Sequence, residues 1–381
     1  MQKGTGVDVL LIQQYRDEFL DIKMRRANKE LGYWESKQMG VEELEAIFND
    51  LSEEGIQSAM ENFWVSWDQL SKPTGRLTSR ALVKESAIAL VESLRHADQL
   101  LKNFRVNKDN EIKDTVSKIN EITKKIAGLN DMIMRIEGSG AFANDFRDER
   151  NLLIDELSKL GDIQVVYGKS VSILMEGRAV VDFANYEELE AVPDTDKNGF
   201  VDKSKVTIQN GKMKALFDMR DVLVDEFRIR LDEMVKGLAF EVNRIHCSGY
   251  GIKDDIQRKF FINRGDPNSN DINISNIAFN PELNDYDHIA AAMDTPPYNN
   301  EDNRIALMIV ELRSKNLFTR EAYEIVKELS LKKGAIMDVS IDEEMSNLIR
   351  FEHSYNASAR MVNVMDEMLD IIVNKIGIVG R

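Results

Sequence analysis

Apolar residues recur along most of this chain at the three- and four-residue intervals that place them on one face of a helix. Asp17 to Leu31 and Val41 to Asp50 show this spacing among charged residues and predict two helices. A third runs from about Ser58 to Lys72 and stops at Pro73, whose ring and missing N–H end a helix. Thr78 to Phe104 continues without a breaker, carrying Leu82, Ala89 and Val91 through Leu101. The cleanest run follows: Ile112, Val116, Ile119, Ile122, Ile126, Leu129, Ile133 and Ile136, the last six in strict three-four alternation. That is the seam of a coiled coil or of a long bundle helix, and it ends in Gly138-Ser139-Gly140.

The period then shortens. Ile163 to Val166, Ser170 to Met175, Ala179 to Phe183 and Val206 to Ile208 read as short strands, separated by the turn residues Gly168 and Gly177 and followed by Asn210-Gly211. Helix resumes near Leu216 and runs to about His246. A polar, irregular stretch with Gly265-Asp266-Pro267 and Pro296-Pro297 comes next, with a short strand or two expected around Asp271 to Phe279. Arg304 to Leu331 returns to helix. The last helix carries Ile341, Met345, Leu348, Tyr355, Val362, Met365, Leu369, Ile372, Ile376 and Val379 along one face. A terminal stripe of that length cannot be buried by its own helix and calls for a partner, in the chain or in another subunit. The expected fold class is therefore mainly α with a β insertion (α+β). It would comprise a discontinuous helix-rich core over residues 1–160 and 212–339, a small β-rich outer insertion over 161–211, and a C-terminal amphipathic helix over 340–381.

Composition narrows the class. The chain has 381 residues, 43% of them hydrophobic, so it can bury a large core. Its net charge of −16 argues against nucleic acid or an anionic membrane as a main partner, because both repel it. Cys247 is the single cysteine, which leaves no disulfide framework and no multi-cysteine zinc site. No apolar run reaches the length of a membrane span, and the first residues lack the charged-then-apolar pattern of a signal peptide.

One stretch carries candidate chemistry. Asp194-Thr-Asp-Lys-Asn-Gly-Phe-Val-Asp202 places Asp194, Asp196, Asn198, Phe200 (by its carbonyl) and Asp202 at the alternating oxygen positions of a calcium loop, with Gly199 at the tight turn. The decisive twelfth position is Lys205 rather than a bidentate carboxylate, and the flanks read as strands. The choice is between a Ca²⁺ site completed by water or another carboxylate and a solvated turn in which Asp, Asn and Gly serve the backbone. His96, His246, His288 and His353 are too scattered for a helical metal pair, and the His246–Cys247 neighbours point to different sides of a helix. Phe63, Trp64 and Trp67 form an aromatic cluster on one helix, more in keeping with core packing than with a ligand platform. No catalytic residues are expected.

Four segments carry a resemblance to a known family. Glu61–Pro73 (ENFWVSWDQLSKP), Ala143–Ile163, Leu216–Gly251 with its VNxxHxxGY pattern at Val242–Tyr250, and Val339–Gly377 resemble, in order, segments of the first hook–filament junction proteins among the flagellar axial proteins. The C-terminal segment is similar to rod, hook and junction proteins alike, and the middle segments favour the junction family.

The resemblance implies a non-enzymatic structural protein of the bacterial flagellum. It implies self-association in a ring, contact with the hook protein and the second junction protein, and an export chaperone on the C-terminal helix. It also implies extracellular localisation through flagellar type III export, which would account for the missing signal peptide. The stripe from Ile341 would then pack between subunits, with Trp64 and Trp67 holding the helical domain. The Asn-rich N-terminal axial helix of that family is not found in this sequence, and Met1 falls near where the extended part of the inner domain would begin. The outer region is shorter than in larger members. The alternatives are another axial protein that shares the terminal motif, or a calcium-dependent extracellular binding module built on the Asp194 loop.

Overall fold

The computed structural model describes residues 18–53, 55–72, 77–190, 208–296 and 301–314, with 327–328, 331–333, 335 and 349. The described residues are mostly helical, with one small antiparallel sheet and a two-stranded ribbon, the α+β class that the periodicity predicts. The chain divides into two compact units. One takes Met1–Lys37, Ile112–Ala215 and Ile336–Arg381, and the other Gln38–Glu111 and Leu216–Ala335, each known here through the residues just given. These boundaries differ from the core-plus-insertion division read from the sequence, because the sheet shares its unit with helical segments from before and after it.

Where the sequence predicts two helices before residue 51, the structure has one, α1 (Glu18–Glu53). The supposed break falls at Gly32 and Gly40, which are points of close approach inside a continuous helix. A Cβ on Gly32 would lie 2.1 Å from the carbonyl oxygen of Lys159, and one on Gly40 would lie 3.0 Å from the Met219 side chain. Helix α2 (Ile56–Ser71) stops just before Pro73, as expected. Helix α3 (Leu77–Gly138) joins the two predicted helices into one of 62 residues. Its Ile112–Ile133 seam is buried. Upstream the phase differs from the expectation: Leu82 and Ala89 are exposed, and Val83, Ala87, Leu90, Leu94, Ala97 and Leu101 form the buried stripe.

In the first unit, α4 (Asn144–Leu160) packs along α1 through polar contacts. Arg25 Nε donates to Asp155 at 3.0 Å and Asn28 donates to Ser158 at 3.2 Å. The strands β1 (Ile163–Tyr167), β2 (Val171–Met175), β3 (Arg178–Asp182) and β4 (Asn185–Tyr186) form a meander in chain order. Strand β2 alternates cleanly, with Val171, Ile173 and Met175 buried. An irregularity opposite Ile173/Leu174 lets the adjacent residues Val180 and Val181 of β3 both be buried. The two-residue loop Glu176-Gly177 has φ of +50° and +82°, the backbone of a tight hairpin turn. The strand expected at Val206–Ile208 is not formed at Ile208, and 206–207 lie outside the described residues; the fourth strand is β4 instead.

Further helical pieces follow. α5 (Gly211–Phe217) passes through a π turn (Asp218–Leu223) into α6 (Val224–His246). The ribbon pairs β5 (Phe261–Asn263) with β6 (Ile277–Phe279), so only the second of its strands lies in the predicted window. Helix α7 (Arg304–Ser314) begins where predicted.

Candidate functional site

The residues singled out by the VNxxHxxGY pattern converge in the second unit on the end of α6 and the loops after it. Phe63, Trp64 and Trp67 of α2 are fully buried there. Phe63 meets Phe260 and Phe261, Trp67 lies 5.4 Å from Phe260 and 6.4 Å from His246 in tilted and edge-on geometry, and Trp64 packs edge-on against Phe63 at 5.0 Å. Phe260 reaches Phe279 across the ribbon at 5.3 Å. This is an aromatic core with the offset geometries such rings prefer. Among the described residues the indole N–H groups of Trp64 and Trp67 have no hydrogen-bond partner, so these side chains contribute by packing alone.

Two polar residues on one face of α6, three positions apart, hold the loops to this core. Asn243 Oδ1 accepts the N–H groups of both Phe260 and Phe261 at 2.8 Å, and its Nδ2 donates to the Phe261 carbonyl at 2.7 Å. His246 Nε2 accepts the N–H of Ala290 at 2.9 Å, which fixes the tautomer and leaves Nδ1–H to donate to the Arg258 carbonyl at 2.7 Å. Both ring nitrogens are thereby committed to backbone. Burial is the main cause that pushes the His246 pKa down to about 4, and the positive Arg80 and Arg258 act in the same direction. The guanidinium of Arg80, itself fully buried, donates to the Ile289 carbonyl, and burial lowers its pKa to about 10 against the opposing charge of Asp287.

The glycines of the same segment admit the incoming backbone. A Cβ on Gly249 would stand 2.4 Å from Ile305 and 2.7 Å from the Ala292 carbonyl oxygen, and one on Gly251 would stand 2.1 Å from the Asp287 carbonyl oxygen. Between them Tyr250 N–H donates to Ala292 O at 2.8 Å. The pattern therefore encodes a clasp. Val242 and the aromatic rings supply apolar burial, Asn243 and His246 supply paired hydrogen bonds, and Gly249 and Gly251 supply clearance.

Burial raises the Cys247 thiol pKa, with Lys259 opposing, which is the reverse of what a reactive thiolate requires. His246 and Cys247 form no catalytic pair. His288 faces Asp254 at 3.3 Å and the Glu282 carbonyl, and His96 is exposed on α3. In the first unit, a groove is lined by Arg25, Arg26, Lys29 and Asp162 with Ile22, Ile163, Gln164 and Val165. Arg25 and Lys29 are already paired there with Asp155 and Asp162. Among the described residues no cluster of three or more His, Cys, Asp or Glu could hold a metal, and no helix is long and apolar enough to cross a membrane.

Of the residues predicted from the sequence, Trp64 and Trp67 meet in this core. Ile341, Met345, Leu348, Tyr355, Val362, Met365, Leu369, Ile372 and Ile376 lie outside the described residues, as do Asp194, Asp196, Asn198, Phe200 and Asp202. Sequence reasoning missed Asn243, Gly249 and Gly251 as individual contributors. The i, i+3 spacing of Asn243 and His246 at the end of a helix is the signal that could have found the first.

Comparison with known proteins gives the chain a family. The family model described as the flagellar hook-associated protein FlgK helical domain matches residues 41–261, which include α2, α3, α4, the sheet and α6. The chain belongs to the flagellar hook-associated protein FlgK family. A second model, the C-terminal region of the flagellar basal body rod FlgEFG proteins, matches residues 336–375. The chain is 26% identical to flagellar hook-associated protein 1 of Bacillus subtilis (strain 168), an alignment that takes in 100% of this chain and 88% of the relative. It is also 26% identical to flagellar hook-associated protein 1 of Salmonella typhimurium (strain LT2), over 68% of this chain and 50% of that protein. The chain thus accounts for about half the length of the Salmonella FlgK relative. The flagellar hook junction protein FlgK from Burkholderia pseudomallei shares the fold, with a TM-score of 0.56 and 20% identity, over 63% of this chain and 46% of that one.

Proposed function

We propose that this chain is a non-enzymatic structural subunit of the bacterial flagellum, placed where hook meets filament. The observation that carries the reading is the match of the FlgK helical domain over residues 41–261, followed in the same chain by the axial C-terminal region over 336–375. A fold of buried seams and backbone clasps suits a protein whose work is to hold a shape. The finer reading is that the chain associates with copies of itself in a ring and contacts the hook protein on one side and the second junction protein on the other. The C-terminal stripe from Ile341 through Ile376 supplies the helical packing that such an assembly requires. An export chaperone covers that stripe before secretion, and the chain leaves the cell through the flagellar export channel. Calcium at Asp194–Asp202 is an accessory proposal, carried by the spacing of its oxygen ligands alone.

Complementation tests the assignment. The chain, joined to an N-terminal axial helix from the family, is expressed with and without residues 340–381 in a motile bacterium that lacks its own first junction protein. Filaments and swimming that return only when residues 340–381 are present support both the junction reading and the role of the stripe. Export of the longer chain without filament formation sinks the junction assignment.

A further inference from the structure

We propose that Asn210–Gly211 is a site of spontaneous deamidation in the folded chain, and that the reaction breaks the tie holding the start of α5 to α1. Asn210 directly precedes α5, and its own side-chain Oδ1 accepts the N–H of Gly211 at 2.8 Å. The carbonyl bond adds only ~1.2 Å, so the Gly211 nitrogen lies within about 4 Å of Asn210 Cγ. That approaches the contact distance of a pair of reacting atoms. Glycine is required here on other grounds: Gly211 has φ +80° and a Cβ on it would stand 2.7 Å from Gly161. The absence of a side chain also leaves its nitrogen unshielded as a nucleophile.

The chemistry needs only water. A base from solvent removes the Gly211 amide proton, and the nitrogen attacks Asn210 Cγ. The Cγ–Nδ2 bond breaks, and ammonia leaves with a proton from solvent. Water then opens the cyclic imide to give aspartate or isoaspartate at position 210. Overall one water is consumed, one ammonia is released, and an amide becomes a carboxylic acid.

The surroundings turn that change into a structural event. Asn210 Nδ2 donates to Glu30 Oε1 on α1 at 2.5 Å. Glu176 accepts the N–H of Gln209 at 2.9 Å, and its carboxyl pKa is raised by burial and by the neighbouring Asp162. A carboxylate at 210 removes the donor to Glu30 and adds a like charge to a region that already holds Glu30, Glu176 and Asp162. The isoaspartate form also lengthens the backbone where Gly211 meets Gly161 without clearance.

Incubation of the full chain in mildly alkaline buffer, followed by peptide mass analysis, tests the proposal. Trypsin releases Asn210-Gly211 in Val206–Lys212, apart from the other Asn-Gly pair, Asn198-Gly199, which falls outside the described residues. The expected result is conversion at Asn210 in the folded chain at least as fast as in the same chain unfolded in urea. Conversion about tenfold slower in the folded chain, equivalent to a barrier higher by about 1.4 kcal/mol, overturns it. The consequence is read separately in Asn210→Asp. Faster amide exchange across residues 208–217 than in the parent chain supports the loss of the tie, and unchanged exchange refutes it.

Discussion

The backbone N–H of Ala290 donates to Nε2 of His246 at 2.9 Å, a buried bond between residues 44 apart in the chain. It fixes which nitrogen of the ring carries a proton, and the other nitrogen donates to the Arg258 carbonyl. A neutral imidazole satisfies both partners, whereas an imidazolium would turn a second N–H toward the N–H of Ala290. The fold therefore holds His246 uncharged, with its pKa near 4 against 6.5 for the unperturbed group.

The sign of the pH dependence follows. Between pH 6.5 and about 4 the unfolded chain binds a proton at His246 and the folded chain does not. Stability from this group is complete above the unfolded value and falls as pH drops through that window, by about 3 kcal/mol in all. Urea unfolding at a series of pH values is expected to show this loss, and His246→Gln, which keeps one donor and one acceptor, is expected to flatten that part of the curve. An equally steep fall in the variant would assign the acid sensitivity to other groups. Asp254, held near 2 chiefly by its bond to Arg258, contributes only at lower pH.

The aromatic core makes a second expectation. Trp64 and Trp67 are fully buried and their indole N–H groups have no partner among the described residues. Apolar contact then sets the cost of replacing either. Trp67→Ala is expected to cost about 3–5 kcal/mol through the cavity it leaves. Trp64→Phe, which removes the unpaired N–H and part of the ring, is expected to cost about 1–2 kcal/mol. Urea midpoints compare the two. A Trp64→Phe loss as large as that of Trp67→Ala would mean the indole nitrogen is bonded after all.

Glycines give a contrast of opposite sign. Gly251 faces the Asp287 carbonyl with no space for a Cβ, so Gly251→Ala is expected to destabilise by about 2 kcal/mol or more. Gly138 closes α3, and a Cβ there meets nothing within 4 Å. Gly138→Ala is expected to be neutral or to stabilise by up to about 1 kcal/mol. Thermal unfolding of the two variants separates a glycine needed for clearance from one that merely ends a helix.

The same contrast explains what could be read from the sequence. The three-four alternation from Ile119 to Ile133 reports burial directly, because a seam that regular has one way to be satisfied. The alternation of β2 does the same for the sheet. The break expected between Phe104 and Ile112 does not occur, because the charges between them find distant partners. Lys108 pairs with Glu43, Arg105 with Asp225, and Asp109 with Arg220. Those pairings span the chain, and nothing local announces them. Gly32 and Gly40 mislead for the same reason, since a helix that needs clearance and a helix that ends both carry glycine. In the clasp, His246 and the tryptophans stood out as residue types. Asn243 did not, because its three bonds to Phe260 and Phe261 depend on where a loop seventeen residues later returns.

A buried side chain ties α3 to the sheet, which makes the last expectation. Asn130 of α3 donates to the carbonyls of Val171 at 2.8 Å and Phe183 at 2.7 Å, and its Oδ1 accepts from Arg150 at 2.9 Å. Phe183 has φ +55°, a left-handed backbone that costs a bulky residue about 1–2 kcal/mol. Asn130→Ala leaves two carbonyls without that donor and is expected to cost about 3 kcal/mol, read as faster amide exchange in β2 and β3. Asn130→Asp keeps an acceptor for Arg150 but turns a carboxylate toward two carbonyl oxygens, so it is expected to do no better. If Asn130 is what holds the strained residue in place, Phe183→Gly in the Asn130→Ala background should restore about 1 kcal/mol, because glycine adopts that backbone without strain. A double variant no more stable than Asn130→Ala would show that the left-handed turn is set by the β3–β4 hairpin alone and owes nothing to the helix.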